Sequence, residues 1–207
     1  MRAGAPPTGY TVLLPPGWVR IPLRHGTGEA LDEKVFRGIE AIPSDVPRDQ
    51  AVAYRLHVRR KVERLAAEAR KAGGLDLYVP VRTRPPTLMA ASFLVTEINR
   101  PEGADPTPEA VLAQLAADRR RGEPGEVRGI AETLAVRWEY VEPPGAGGAD
   151  PDTYARHVDY VLPVPGDVGR WLAVSFSTAG DGDPDGEFAR ALTELFDALM
   201  TTFRWNS

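Results

Sequence analysis

The chain has 207 residues, of which 43% are hydrophobic and 26% are charged, so it can bury a core without a metal or a disulfide. It contains no cysteine, which excludes disulfides, thiol catalysis, iron–sulfur clusters and cysteine zinc sites. A net charge of −4 argues against non-specific binding to nucleic acid. The N-terminal apolar run is too short for an export signal, and no stretch approaches a membrane span, so the sequence predicts a cytoplasmic protein.

The first elements are predicted to be extended. Tyr10, Val12 and Leu14 alternate with other residues, as in a short strand, and a Pro-Pro-Gly turn separates them from a second strand, WVRIPL. After a loop of mixed character, apolar residues at four-residue steps predict one or two helical turns, at Leu31, Val35 and Ile39.

The clearest helix is predicted over residues 47–72. Ser44 or Asp45 can cap its start, Pro47 suits the first turn, and Gly73 follows its end. Its buried stripe is predicted to contain Val52, Leu56, Arg59, Val62 and Ala66, widened by Leu65 and Ala69.

Strands dominate the rest of the chain. Two are predicted at LDLYVPVR and TLMAASFLVTEIN, followed by a helix with Thr107 as cap and Pro108 in its first turn. Three more are predicted at VRGIAETLAVRWEYVE, RHVDYVLPVP and WLAVSFST. A last helix is predicted over residues 184–203, with a buried stripe made of Phe188, Leu192, Leu195, Phe196 and Leu199.

This order of elements predicts one α+β domain over residues 1–207. Short connections favour antiparallel strands, and three helices would cover a sheet of about five to seven strands as an α/β/α sandwich.

The order of elements resembles the Mog1/PsbP-like family, in its bacterial uncharacterised branch. The resemblance is carried by LPPGWVRIPL, by the strand LMAASFLVTEI after a long helix, and by HVDYVLPV and RWLAVSFST before EFARALTELFDALMTTFRW. It implies this sandwich and a binding or assembly role, but no shared catalytic residue.

The loop DGDPDG before the last helix resembles the start of a calcium loop. Asp181, Asp183 and Asp185 would fill ligand positions 1, 3 and 5, but Leu192 stands where the bidentate glutamate belongs. We therefore interpret the loop as a polar turn in which Asp183 or Asp185 caps the last helix, with weak calcium binding as the alternative.

Other chemical motifs are missing from the sequence. His25, His57 and His157 have no metal-ligand spacing, no serine stands in a GxSxG frame, and HGTGEA lacks the lysine of a phosphate loop. The sequence therefore predicts no catalytic residue, no metal and no cofactor.

Two functions remain as hypotheses. The first is a non-catalytic protein-binding or assembly accessory protein, linked by analogy to a bacterial secretion system, that acts as a monomer or homodimer. It would use a sheet face or the loops at 22–46 and 142–153. Candidate partner-binding residues are Arg55, Arg59, Arg60, His25 and Tyr154, although the basic helix is also typical of a solvated face. The second is a small-molecule or lipid carrier, or an enzyme, with a cavity between the long helix and the sheet.

Overall fold

The computed structural model describes residues 5–37, 48–81, 91–100, 107–118, 122–145, 154–179 and 182–206. Its helices and strands are β1 Gly9–Thr11, β2 Trp18–Pro22, α1 Thr27–Ala30, α2 Arg48–Lys71, β3 Gly74–Pro80, β4 Ala91–Asn99, α3 Pro108–Ala117, β5 Glu126–Ile130, β6 Thr133–Glu142, β7 Ala155–Val164, β8 Asp167–Thr178, α4 Glu187–Thr201 and β9 Arg204–Asn206. A π-helical segment, Leu31–Phe36, continues α1.

Seven of these strands form an antiparallel sheet flanked by helices, while β1 and β9 pair separately. This confirms the predicted α+β class. The chain divides into two compact units, one of residues 15–96 and the other of residues 1–14 and 97–207. The sheet order is β2-β3-β4 in the first unit and β8-β7-β6-β5 in the second. The expectation of one domain over the whole chain stays a prediction.

The predicted long helix is present, but half of its apolar stripe is not buried. Val62 and Ala66 pack against Leu77 of β3, as predicted, whereas Val52 and Leu56 are exposed. A helix of 24 residues is about 36 Å long and the seven residues of β3 span only about 23 Å, so α2 is longer than the strand it covers and cannot be covered by it along its whole length. The predicted cap residues of this helix lie outside the described residues.

The larger unit buries apolar side chains on both faces of its strands. Val111 and Leu112 of α3 pack with Val136 and Trp138 on one face. On the other face, Phe196 of α4 stacks on Phe176 of β8, with ring centroids 4.9 Å apart. We call these the α3 face and the α4 face.

The last helix only partly matches its predicted stripe. Phe196 and Leu199 are buried as predicted, but Leu192 and Leu195 are half-buried and Phe188 is exposed. Ala189, Thr193 and Met200 are buried instead. The helix is also shorter than predicted at both ends. The chain after it forms β9 instead, where Trp205 pairs with Tyr10.

Candidate functional site

One strand predicted over residues 127–142 is in fact a hairpin. β5 and β6 pair antiparallel and are joined by a two-residue turn, Ala131–Glu132. Both turn residues have positive φ, 50° and 64°, as the tight primed hairpin turn requires. This prediction was wrong because a turn of this type usually contains asparagine, aspartate or glycine, and those residues make it recognisable in a sequence. This chain has alanine and glutamate at the two positions.

The hairpin leaves one row of backbone groups of β5 facing away from β6. Ile130 and Thr133 close the two-residue turn, so Ile130, Arg128 and Glu126 exchange hydrogen bonds with β6. By the alternation of the antiparallel ladder, the N–H and C=O groups of Val127 and Gly129 point outward. β5 is the last strand of its sheet, and both of these residues are exposed.

A cavity of about 650 Å³ lies beside this edge, on the surface of the larger unit. We call it the hairpin groove. Its walls come from the start of α3, from the β5–β6 hairpin, from β7 and from the C-terminal end of α4 and the start of β9. They contain Pro108, Glu109, Leu112, Gly129, Ala131, Glu132, Thr133, Leu134, Pro163, Thr201 and Arg204.

The groove combines apolar surface with two carboxylates. Leu134 is 45% exposed and Val127 is 48% exposed. Both side chains lie on the same face of the hairpin, where Val127 pairs with Val136, the next position on that face after Leu134. A side chain added at Gly129 would meet nothing within 4 Å, so the edge is sterically open at that position. Glu109 and Glu132 are exposed and form no ion pair with another described residue. A free strand edge next to apolar surface suits the addition of an extended segment.

On the α4 face, the same strands carry a network of ion pairs. Arg137 donates to Asp197 at 2.9 Å and to Glu139 at 2.6 Å, and Arg128 donates to Asp197 at 3.3 Å. Tyr160 donates its hydroxyl to Asp197 at 2.8 Å. We call this set, with Glu126 and Arg156, the charged network.

Burial shapes the titration of the charged network. Burial raises the pKa of Tyr160 to about 12, and its hydrogen bond to Asp197 adds to the rise because it stabilises the neutral phenol. Burial would lower the pKa of Arg137, but the hydrogen bonds to Asp197 and Glu139 outweigh it, and the net shift is upward. The network therefore extends into the alkaline range the pH interval over which Tyr160 keeps its proton.

A smaller polar cluster lies on the α3 face near the other end of β6. Tyr140 donates to Asp159 at 3.1 Å and stacks on the His157 ring at 5.0 Å between centroids. His157 Nε2 lies 3.2 Å from Glu142 Oε2. His157 and Asp159 thus lie near each other on β7, while His25 belongs to the other unit, so these two histidines are not brought together in one described site.

The predicted partner-binding residues are dispersed. His25, Arg60 and Tyr154 are exposed, and Tyr154 belongs to a different unit from the others. Arg59 donates to Glu63 at 2.9 Å and to Asp32 at 3.2 Å, and its guanidinium lies over the Phe36 ring, so it ties α2 to the π-helical segment. Arg55 lies on α2, and its side chain is outside the described residues, as are residues 38–46 and 146–153 of the two predicted loops. Their partner role stays a prediction.

The acidic loop is a polar turn, but it does not cap α4. Gly186 occupies the N-cap position and no side chain caps the helix, so the predicted capping role of Asp183 or Asp185 was wrong. Asp183 instead accepts from the backbone N–H of Asp185 at 2.9 Å, and Asp185 pairs with Arg156. The carboxylates are used within the loop and by β7, which leaves the helix start to glycine. Asp181 lies outside the described residues.

Two other features bear on function classes. Across the described ranges, no group of three or more histidine and acidic residues is placed to hold a metal ion. Within the same ranges, no helix is long and apolar enough to cross a membrane.

The hairpin groove was missed at the sequence level. Its residues come from four segments far apart in the chain, and none carries a recognised motif. The available signal was Gly129 inside a strand pattern, since an interior glycine marks a close approach of another backbone. Comparison with known proteins adds no further signal: the sequence matches no protein-family model and no curated protein. The resemblance to Mog1/PsbP-like proteins therefore stays a prediction.

Proposed function

We propose that the protein is a non-catalytic protein-binding module, and that an extended segment of its partner adds to the edge of β5. The observation that carries the proposal is that Gly129, whose N–H and C=O groups point outward from the edge of β5, also lines the hairpin groove. Main-chain hydrogen bonds to the edge would provide affinity, and alternate side chains of the segment would enter the groove.

The surroundings of β5 support this proposal. Natural proteins usually protect an edge strand with charge, proline or a covering element, because a free edge pairs with other chains. Here the residues whose backbone groups point outward from β5 are Val127 and Gly129, and the side chain of Val127 lies on the same face as exposed Leu134. The charged residues of β5, Glu126 and Arg128, pair with each other at 2.7 Å and lie on the opposite face.

Site-specific photocrosslinking in the cells that make the protein tests the proposal. A photoreactive residue at Val127 or Leu134 should yield one discrete protein adduct. The same residue at Val141 should not, because Val141 is exposed on the same strand but lies about 23 Å from Leu134 and on the opposite face. Gly129→Pro, which removes one outward N–H, should abolish the adduct. Equal crosslinking from all three positions, or an adduct that survives Gly129→Pro, would overturn the proposal.

A small-molecule ligand in the same groove is the second candidate function. A volume of about 650 Å³ lies within the range of small-molecule sites, although the groove is not between the long helix and the sheet, where the sequence placed a cavity. Native mass spectrometry of the freshly purified protein distinguishes the two. A stoichiometric small molecule that Leu134→Asp removes would favour the carrier.

A further inference from the structure

The charges of the hairpin groove are unbalanced. Glu109, in the first turn of α3, and Glu132, in the hairpin turn, both line it and have no ion-pair partner among the described residues. The one guanidinium in the groove, that of Arg204, is bound to its own backbone: Nη1 donates to the carbonyl oxygens of Thr201 at 2.8 Å and Phe203 at 2.6 Å. The groove therefore offers more negative than positive charge to an incoming segment.

β5 itself has no available basic side chain to pair with Glu109 and Glu132. Arg128, the only basic residue of β5, donates to Glu126 at 2.7 Å and to Asp197 at 3.3 Å on the α4 face. A second copy of the chain that paired its own β5 with this edge would thus bring an arginine that is already bound. The charge of the groove favours a different segment over self-association.

We infer that the segment received by β5 carries a lysine or arginine at the level of the Ala131–Glu132 turn. Apolar side chains of this segment would alternate toward Leu134 and Leu112. This inference rests on the proposed function and specifies the chemistry of the partner. The cation would lie between Glu109 and Glu132, and the alternation follows from the period of two along a strand. A charged pair of this kind at the rim of an interface mainly sets which partner is accepted and how fast it associates.

Selection from a displayed library of random peptides of about ten residues tests the inference without a known partner. The full-length protein serves as bait, and Leu134→Asp serves as the counter-selection. We expect the enriched peptides to combine alternating apolar residues with an excess of lysine or arginine at one position. Replacement of that residue by glutamate in the best peptide should weaken binding at least about tenfold in fluorescence anisotropy at low salt.

A charge-reversed variant provides the matched control. Glu109→Lys combined with Glu132→Lys should reverse the preference, so that the glutamate version of the peptide binds more tightly than the original. Both substitutions are at exposed positions, and circular dichroism verifies that the fold is retained.

The outcomes separate the two levels of the proposal. Peptides that depend on Leu134 and Gly129 but show no basic excess would overturn the inference and leave strand addition standing. No enrichment that depends on Leu134 would overturn strand addition itself. A dimer in analytical ultracentrifugation that Gly129→Pro dissociates would replace the partner segment with a second copy of the chain.

Discussion

The two faces of the β5–β6 hairpin use their polar groups differently. On the α4 face, Arg137 is almost fully buried, and it and its neighbours are bound to one another in the charged network. At the groove, two carboxylates and the outward backbone of β5 face solvent beside exposed Leu134. The same pair of strands therefore has one face whose interactions are completed within the chain and one edge whose outward backbone groups have no partner among the described residues. We expect substitutions on the first to change folding and substitutions at the second to change binding.

Removal of Arg137 should have the largest effect. Arg137→Leu leaves Asp197 and Glu139 each short of one buried charged partner, although Arg128, Tyr160 and Arg156 still contact them. We expect the free energy of unfolding to fall by about 3 kcal/mol, measured by urea denaturation. The control is Arg60→Leu at an exposed position of α2, which should stay within about 0.5 kcal/mol of the wild type. Equal effects of the two substitutions would contradict the distinction between a completed network and a solvated surface.

Titration of Tyr160 tests the same network by a second route. Its pKa in the folded protein is about 12, above the ordinary value of 10.0, so the folded state retains its proton where the unfolded state has lost it. The resulting stability is fully present below pH 10 and is lost as the pH rises toward about 12. The total loss should be on the order of 2 to 3 kcal/mol.

Tyr160→Phe should remove this part of the pH dependence, measured as urea midpoints at a series of alkaline pH values. Tyr154→Phe, at an exposed position, should leave it in place. A wild-type curve that matches the Tyr160→Phe curve above pH 10 would show that the pKa of Tyr160 is not raised in the folded protein.

Proline scanning of β5 distinguishes its inward from its outward backbone groups. Arg128→Pro removes an N–H that bonds to β6, and relative to Arg128→Ala it should cost about 2 kcal/mol. Gly129→Pro removes an N–H that points outward, a position where edge strands accept proline, and should cost much less. Comparison of thermal unfolding for the three variants checks this. If Gly129→Pro is more destabilising than Arg128→Pro, the backbone N–H of Gly129 bonds to β6 and does not point outward. The proposed binding edge would then be wrong.

The sequence predicted those elements whose signal is local. The last helix has a buried stripe, and β7 and β8 have long apolar runs, so their periodicity was sufficient. The β5–β6 turn was not predictable in this way, because the pairing of two strands imposes positive φ on Ala131 and Glu132, neither of which prefers it. Val52 and Leu56 of α2 show the complementary limit: both fit the helical period, but the period does not tell how far the underlying strand extends.

The candidate site depended even more on tertiary structure. The charged network joins Arg137 to Asp197, sixty residues apart. The groove brings the start of α3 beside a hairpin turn and the end of α4. The sequence shows these charges as scattered positions, and their pairing in three dimensions could not be derived from spacing alone. What the sequence did contain, in Gly129, was one glycine inside a strand pattern, at a position that the structure leaves sterically open.

The smallest expected effect on stability is that of Leu134→Gln, and comparing it with Val136→Ala tests most directly whether the groove serves binding and not folding. Leu134 and Val136 lie on the same face of β6, two residues apart, but Val136 is fully buried and Leu134 is not. Val136→Ala should lower the free energy of unfolding by about 2 kcal/mol, because it removes buried methyl groups and leaves a cavity. Leu134→Gln should change it by no more than about 0.5 kcal/mol and yet abolish Gly129-dependent crosslinking. If Leu134→Gln destabilises the fold as much as Val136→Ala, Leu134 belongs to the core. The groove would then have no exposed apolar side chain at this position, and the proposed difference between the groove and the charged network would be wrong.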